Sequence, residues 1–480
     1  KNVLETLASR SLLSQVTAPN SLRKHLQGPD QRSVYVGVDP SADSLHVGNI
    51  LPLLAAVHFL QHGHRVVIVI GGATGSIGDP SGRDTERTAL SSSELTHNVK
   101  GITSQVYTFF HRATQYLENR FPVGLENSDP RETERADKIK PIIPNVSVVN
   151  NEAFYKNMNV LSFLRDVGTM ARVGTMLARD SVKSRLQPAS NSDSSTPQSP
   201  TGLSFTEFSY QLLQAYDFSV LHGAPWHCTI QLGGSDQMGN IMAGVDLIRR
   251  QKLIQEKKQL EEDKDGDDTP AYGLTLPLLT TASGAKFGKS AGNAVWLSQE
   301  RCSDYDFYQF FYRSRDDEVE LYLKTLTLLS LEVVDNIIKA HQNDPAAGRA
   351  QKILASEVTE LIRGKEAVRR AQAATRVLFE TRLKGLQAKE VEDAFHNDPR
   401  LQRMKRSSIL EAELIKIACD VGLASSKGEA RRAMQSGGFY LNNVPVRNAK
   451  KTLTADDAVC DGNIVVLRIG RTEHRIISLQ

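Results

Sequence analysis

The first third of this 480-residue chain predicts an α/β fold on a parallel sheet, followed by an α-helical segment and a small α+β unit. Three observations carry the expectation. Ser33–Asp39 alternates as a strand, Arg65–Ile70 is a β-branched run, and the helix between them stops at Gly63. Strand, helix and strand at that spacing form a βαβ unit, which puts the site at the C-terminal ends of the strands.

Taken in order, Asn2–Gln15 reads as an amphipathic helix with Leu4, Leu7, Leu12 and Leu13 on or near one face. It holds Glu5 and no apolar core, so it is not a secretory signal. The chain opens on Lys1 instead of Met, so an upstream piece is expected to be missing or removed. Pro52 is tolerable only in the first turn of the helix after the Pro40–Gly48 turn. A glycine-rich loop, Gly71–Gly82, follows the second strand at once. Residues 127–144, 187–202 and 256–268 read as insertions, being charged, Ser/Pro-rich and charged respectively. From Asp304 to about Leu386 the apolar spacing is helical. Residues 389–407 are polar and read as a linker, and 408–480 restart as two helices and short strands.

Hydrophobic residues at 40% and charged residues at 24% exclude disorder for most of the chain. No apolar run approaches the roughly 18 residues of a membrane span. Four cysteines, Cys228, Cys302, Cys419 and Cys460, show no paired spacing, so neither a disulfide framework nor a cysteine zinc site is expected, and a reducing compartment fits. The net charge of +3 is uneven, since residues 401–480 carry 13 Lys and Arg against 8 Asp and Glu. That balance fits a module for a polyanion and equally a solvated basic surface.

Asp39-Pro-Ser-Ala-Asp-Ser-Leu-His46-Val-Gly48-Asn49 sets a histidine and an amide where a helix begins. Free backbone N–H groups and the positive helix end attract an anion there, and the glycine admits a flat ring or a phosphate. Alone, His46 reads as a capping or surface histidine before it reads as a site residue. Gly284-Ala-Lys286-Phe-Gly288-Lys289-Ser290 gathers two ammonium groups and a hydroxyl, which suits a polyphosphate during bond breaking. A P-loop needs glycine at position 283, where Ser283 stands. Gly72-Ala-Thr-Gly75-Ser-Ile-Gly78 likewise lacks the dinucleotide spacing. Ser204-x-x-Glu207 is a capping box, and Tyr210, Gln214 and Asp217 share one face of the helix it opens. That face is either solvated or the lining of a cavity for a zwitterionic amino acid bearing a hydroxyl.

Together the histidine motif and the Lys-Phe-Gly-Lys-Ser loop resemble the HIGH and KMSKS signatures of class I aminoacyl-tRNA synthetases. The match narrows to tyrosyl-tRNA synthetases of the bacterial and organellar type. Tyr35-Val-Gly-Val-Asp39-Pro, Gly71 to Gly82, Phe205 to Asp217 and Gln231-Leu-Gly-Gly-Ser-Asp236-Gln237 are similar to that family's blocks, in family order along the whole chain.

The resemblance implies a Rossmann-like catalytic domain over 1–303, an α-helical anticodon-binding domain over 304–388, the linker, and an S4-like RNA-binding domain over 408–480. It implies a tyrosine–tRNA ligase using ATP and Mg²⁺, with tyrosine and tRNA(Tyr) as partners, a homodimer, no membrane and no metal-ligand set of its own. On this pattern Tyr35 and Asp217 bind the substrate phenol, and Asp79, Tyr210 and Gln214 take its ammonium group. Gln231 and Gln237 complete that pocket. Asp39, Gly48, Asn49 and Asp236 surround the adenosine, while His46 and Ser41 lie near the triphosphate. Lys286, Lys289 and Ser290 follow the pyrophosphate, with Arg83 and Arg87 as further cations. Asn49 replaces the usual second histidine, Phe287-Gly288 replaces Met-Ser, and Met238 stands where an aromatic is common.

Gly422 to Met434 resembles the S4 module, whose Lys427, Arg431 and Arg432 would meet RNA phosphates. The insertions resemble those of fungal mitochondrial enzymes, which implies the mitochondrial matrix, with a bacterial cytoplasm as the alternative. Some of those relatives also bind group I intron RNA and promote its splicing. Residues 127–144 and 256–268 are the candidates here, with Arg131, Arg135, Lys138, Lys140, Lys257, Lys258 and Lys264. The rival classes are another ATP-dependent nucleotidyltransferase and an RNA-binding or splicing protein on a synthetase scaffold. Intact His46, Asp236 and Lys289 speak against the latter.

Overall fold

The computed structural model describes residues 2–81, 90–120, 145–186, 203–255, 271–278, 289–290, 293–380, 383, 385–396 and 398–480. The three expected insertions, with Arg83, Arg87 and Lys286, lie outside them, as do the side chains of Lys289 and Ser290. Two compact units result, Lys1–Ser298 with Arg315–Ala350, and Gln299–Ser314 with Gln351–Gln480. The helices between residues 304 and 388 are therefore shared between the units.

The first unit is organised by a sheet of strands β1 (Gln15–Val16), β2 (Ser33–Val38), β3 (Arg65–Ile70), β4 (Val146–Asn150), β5 (Cys228–Gly234) and β6 (Tyr272–Leu276), in the order β1-β6-β5-β2-β3-β4. All neighbours are parallel except β1, which runs antiparallel to β6. The β-branched run Val66–Ile70 is buried on both faces, as a central parallel strand requires. The chain builds β2, β3 and β4 outward on one side, then returns to lay β5 and β6 on the other. The order thus reverses between β2 and β5, and the crevice at their C-terminal ends is where such sheets bind ligands. The helix Ile50–Gln61 joins β2 to β3 and is buried along most of its length, with Pro52 in its first turn.

At the N-terminus the helix is shorter than its apolar spacing predicts, ending at Ser9. Ser11 has a left-handed backbone (φ 59°), and after buried Leu12 the chain is recruited as an edge strand along β6. Arg10 explains the stop. Its buried guanidinium donates to the carbonyls of Lys324 and Thr327, both at 3.0 Å, and to that of Leu329, where the helix Val319–Leu326 leaves acceptors unpaired.

The second unit holds β9 (Leu401–Met404), β10 (Phe439–Leu441), β11 (Val444–Pro445), β12 (Ile464–Ile469) and β13 (Glu473–Leu479), in the order β11-β10-β12-β13-β9. A further short pair, β7 (Lys289–Ser290) and β8 (Asn293–Ala294), belongs to the first unit. Residues 389–407, expected as a linker, instead form most of the helix Ala388–Ala394 and then β9, which pairs in parallel with β13. Polar composition misleads here because two apolar residues suffice: Val391 and Phe395 are buried among Leu386, Val466 and Ile476. The paired helices Leu414–Asp420 and Lys427–Gln435 follow, and Arg475 closes the first by donating to the carbonyls of Val421 and Gly422.

Candidate active site

A cavity of about 440 Å³ opens at the reversal point between β2 and β5. Strand alternation aims Tyr35, Gly37 and Asp39 at it from β2 and its C-terminal end. No atom lies within 4 Å of where a Gly37 side chain would begin, so bare backbone leaves room for a ligand against the strand. Gly71 is required for a different reason. A Cβ there would stand 2.1 Å from the Asp39 carboxylate.

The helix Phe205–His222 supplies the polar stripe Tyr210, Gln214 and Asp217, and all three line the cavity. Ser204 caps it by accepting from the Glu207 N–H. The reciprocal half of the expected capping box is replaced, because Glu207 turns to Arg185 in a buried ion pair of 3.1 Å. Tyr210 donates to Asp39 at 2.6 Å, and Thr74 donates to the other Asp39 oxygen at 2.8 Å. Asp39, expected beside adenosine, is thus joined to the Tyr210 hydroxyl. Burial, reinforced by Asp39 and Asp79, holds the Tyr210 phenol far above its ordinary range.

Asp217 accepts from Asn151 at 2.8 Å and from Tyr155 at 2.8 Å. Burial nevertheless pushes it up to about 7. Gln237 donates to Asp79 at 2.7 Å, and Asn240 donates to Gln214 at 3.0 Å. Of the residues lining the cavity, two carry a buried polar atom with no partner among the described residues, the Tyr35 hydroxyl and the Gln231 Oε1. Such orphans are uncommon in folded proteins and here point into a cavity that a ligand would fill. Asp39, Asp79, Asp217 and Asp236 line the cavity, and among the described residues no Lys or Arg does. That balance attracts an ammonium group.

His46 precedes a short turn, Val47–Asn49, with its Nδ1 accepting from the Gly48 N–H while Asn49 accepts from the His46 N–H. Gly48 and Asn49 of that turn line the cavity beside exposed Ser41, but the backbone N–H groups are not free as expected: Val47 donates to Val295, Gly48 to His46 Nδ1 and Asn49 to the His46 carbonyl. Residues 45–47 also pair with 295–297, through Val47 N–H to Val295 and Leu297 N–H to Leu45. The segment 293–297, just after the lysine loop, is therefore fastened to the histidine motif. Sequence reasoning missed Thr74, Ser81, Asn151, Tyr155 and Asn240. Of these, Asn151 ends a legible β-branched run, 146–149, and Asn240 lies three residues past a recognised block.

In the second unit Lys427, Arg431 and Arg432 are exposed on one side of their helix, while Ala430 and Met434 face the core.

Residues 29–380, which build the reversed-order parallel sheet and the histidine turn, match the family "tRNA synthetases class I (W and Y)". The chain belongs to that class. Residues 390–477 match the "Tyrosine--tRNA ligase SYY-like C-terminal domain". The chain is 38% identical over its full length to the mitochondrial tyrosine–tRNA ligase of Saccharomyces cerevisiae, covering 89% of that protein. It is 37% identical to the Lactobacillus delbrueckii tyrosine–tRNA ligase, covering 99% of it. Among solved structures, a C-terminally truncated Aspergillus nidulans mitochondrial tyrosyl-tRNA synthetase superposes with a TM-score of 0.65 at 33% identity, over 79% of this chain and 94% of that one. Within class I, the chain is a member of the tyrosyl-tRNA synthetase family.

Proposed function

We propose that the chain activates tyrosine with ATP and transfers it to tRNA(Tyr). One observation carries the reading: an orphaned phenol hydroxyl, Tyr35, and a buried carboxylate, Asp217, line the same cavity as the Asp79, Tyr210 and Gln214 cluster. Tyr35 donates to the substrate's phenolic oxygen and Asp217 accepts its proton, while Asp79, Tyr210 and Gln214 receive the ammonium group. Gln231 and Gln237 fill the remaining polar contacts. Phenylalanine would leave those buried groups unpaired, an effect for which tyrosine-specific synthetases are the standard illustration.

A tyrosine carboxylate oxygen attacks the α-phosphorus as the bond to the β-phosphate oxygen breaks, and pyrophosphate leaves. The terminal ribose hydroxyl then attacks the acyl carbon, AMP departs, and the hydroxyl proton goes to solvent. Both steps need positioning and charge stabilisation more than acid–base groups. Asp236, Asn49 and Gly48 bind adenosine, with Asp39 at its boundary with the amino acid. His46 and Ser41 face the phosphates, and Lys286, Lys289, Ser290, Arg83 and Arg87 take the pyrophosphate charge. Mg²⁺ would enter as the counter-ion of the triphosphate. ATP–pyrophosphate exchange run across the amino acids tests the reading: exchange with tyrosine alone supports it, and exchange with another substrate or none overturns it.

The second unit would present Lys427, Arg431 and Arg432 to the tRNA backbone. A homodimer is supported by the exposed apolar residues Val160, Leu161, Leu164, Val173 and Leu177 on the short helices Val160–Asp166 and Val173–Leu177, and sedimentation of the variant Leu161→Asp as a monomer would bear it out. The matrix of a mitochondrion is the proposed location, tested by imaging the tagged precursor against a cytoplasmic marker. Group I intron binding is proposed for residues 127–144 and 256–268, outside those described. Deleting either should weaken intron binding and flatten its salt dependence while tyrosylation persists. No helix among the described residues is long and apolar enough to cross a membrane.

A further inference from the structure

Asp217 would not serve as a phenol acceptor without help. It is 5% exposed, and the charged group most felt from neighbouring elements is another carboxylate, Asp39, at the end of β2. The phenols of Tyr35 on β2 and Tyr155 after β4, and of Tyr216 beside it on the same helix, also face it. No cation among the described residues lines the cavity to hold the charge. Its two oxygens are instead met by one donor each, Asn151 on Oδ2 and Tyr155 on Oδ1.

Tyr155 is well fixed for this task. It follows β4 on the short helix Glu152–Tyr155, and its ring packs 5.4 Å from that of Tyr216. Its hydroxyl lies 2.9 Å from the Leu213 carbonyl and 2.8 Å from Asp217, so it spans one turn of the helix that carries the carboxylate. One hydroxyl proton faces two acceptors. A hydrogen bond to an ionised oxygen is roughly twice as strong as one to a neutral carbonyl, so the proton goes to Asp217 when it is charged. With Asn151 and Tyr155 each using one site, lone pairs of the carboxylate are left for a third donor.

We propose that Tyr155 is a positioning residue for tyrosine recognition: its hydroxyl keeps Asp217 ionised and oriented so that the remaining lone pair accepts the substrate's phenol. The proposal rests on the tyrosine reading given above. Tyr155 itself does not touch the substrate, and Phe at this position would keep the packing while removing the donor. Because the protonated carboxyl cannot accept the phenol's proton in the same way, kcat/KM for tyrosine falls as pH drops through the Asp217 titration. Hydrogen bonds to the charged form lower a carboxyl's titration point, so removing one raises it.

The test is tyrosine-dependent ATP–pyrophosphate exchange from pH 5.5 to 8.5, with wild type and Tyr155→Phe side by side. In the variant the acid limb of kcat/KM should move up by about 0.5–1 pH unit, and KM for tyrosine at pH 7 should rise about 3- to 10-fold with kcat little changed. KM for ATP at saturating tyrosine, which makes no use of Asp217, should be unaltered, and that excludes general damage. Superimposable pH limbs, or an equal loss in KM for ATP, would overturn the role of Tyr155. Absence of tyrosine-dependent exchange in the wild type would overturn both this assignment and the function it rests on.

Discussion

Asp39 and Asp217 line one cavity in different surroundings. Asp39 is half-exposed and receives two hydroxyl hydrogen bonds, whereas Asp217 is buried and pushed up to about 7. A buried carboxylate that binds one hydroxyl should be sensitive to truncation. Asp217→Ala should raise KM for tyrosine by about 10- to 100-fold, the range for a lost hydrogen bond to a charged group, and erode discrimination against phenylalanine. Exchange kinetics with both amino acids would show it, and unchanged tyrosine exchange would dismiss the pocket assignment. Lys289→Ala should act elsewhere. A cation that meets charge developing in the transition state should slow adenylate formation about 10²- to 10³-fold and leave tyrosine binding near wild type. Single-turnover rates beside equilibrium dialysis separate the two effects, and a parallel loss of tyrosine affinity would show the loop to be misplaced.

At the scale of elements, composition and packing diverge between residues 388 and 404. The segment is polar enough to read as a tether, yet its helix and β9 enter the second unit's core through Val391 and Phe395. Burial of Phe395 to 1% exposure makes this segment structural, so Phe395→Ala should cost about 3–5 kcal/mol, from lost transfer energy and the cavity left behind. Urea unfolding would measure it, and a change below about 1 kcal/mol would restore the linker reading. The same contrast holds at Glu207. Its spacing from Ser204 signals a capping box, but a buried guanidinium, Arg185, outcompetes the helix terminus for its carboxylate. Local pattern finds the helix start correctly and misassigns one side chain.

For the whole molecule, the two units divide the labour proposed here. The first holds the cavity, and the second offers an exposed basic helix. Arg431→Ala should weaken tRNA binding and lower the salt slope, d log K/d log[salt], by about 1 in magnitude, as one phosphate contact would. Filter binding at several salt concentrations would detect it, and an unaltered slope would remove this helix from the interface. Tyrosine activation should persist in that variant, since the cavity lies in the other unit.

The α/β class, the strand β3, the helix up to Gly63 and the conjunction of histidine turn and lysine loop were legible because each is written in contiguous residues: β-branched runs, helical spacing, turn glycines. The polar stripe on Phe205–His222 was legible as a face, but not its direction, since periodicity says which residues share a side and not what the side meets. Asn151, Tyr155 and Asn240 carry no local pattern of their own, and Thr74 stands inside a recognised block without a signal that marks it as a contact. They became site residues only when β4 was laid beside β3 and the helices on either side closed over Asp217 and Asp79. The chain alone determined which elements form, through short-range sterics and hydrophobic spacing. Only the tertiary structure decided which carboxylate is buried and which hydroxyl is left without a partner, because burial and hydrogen bonding are set by residues distant in sequence.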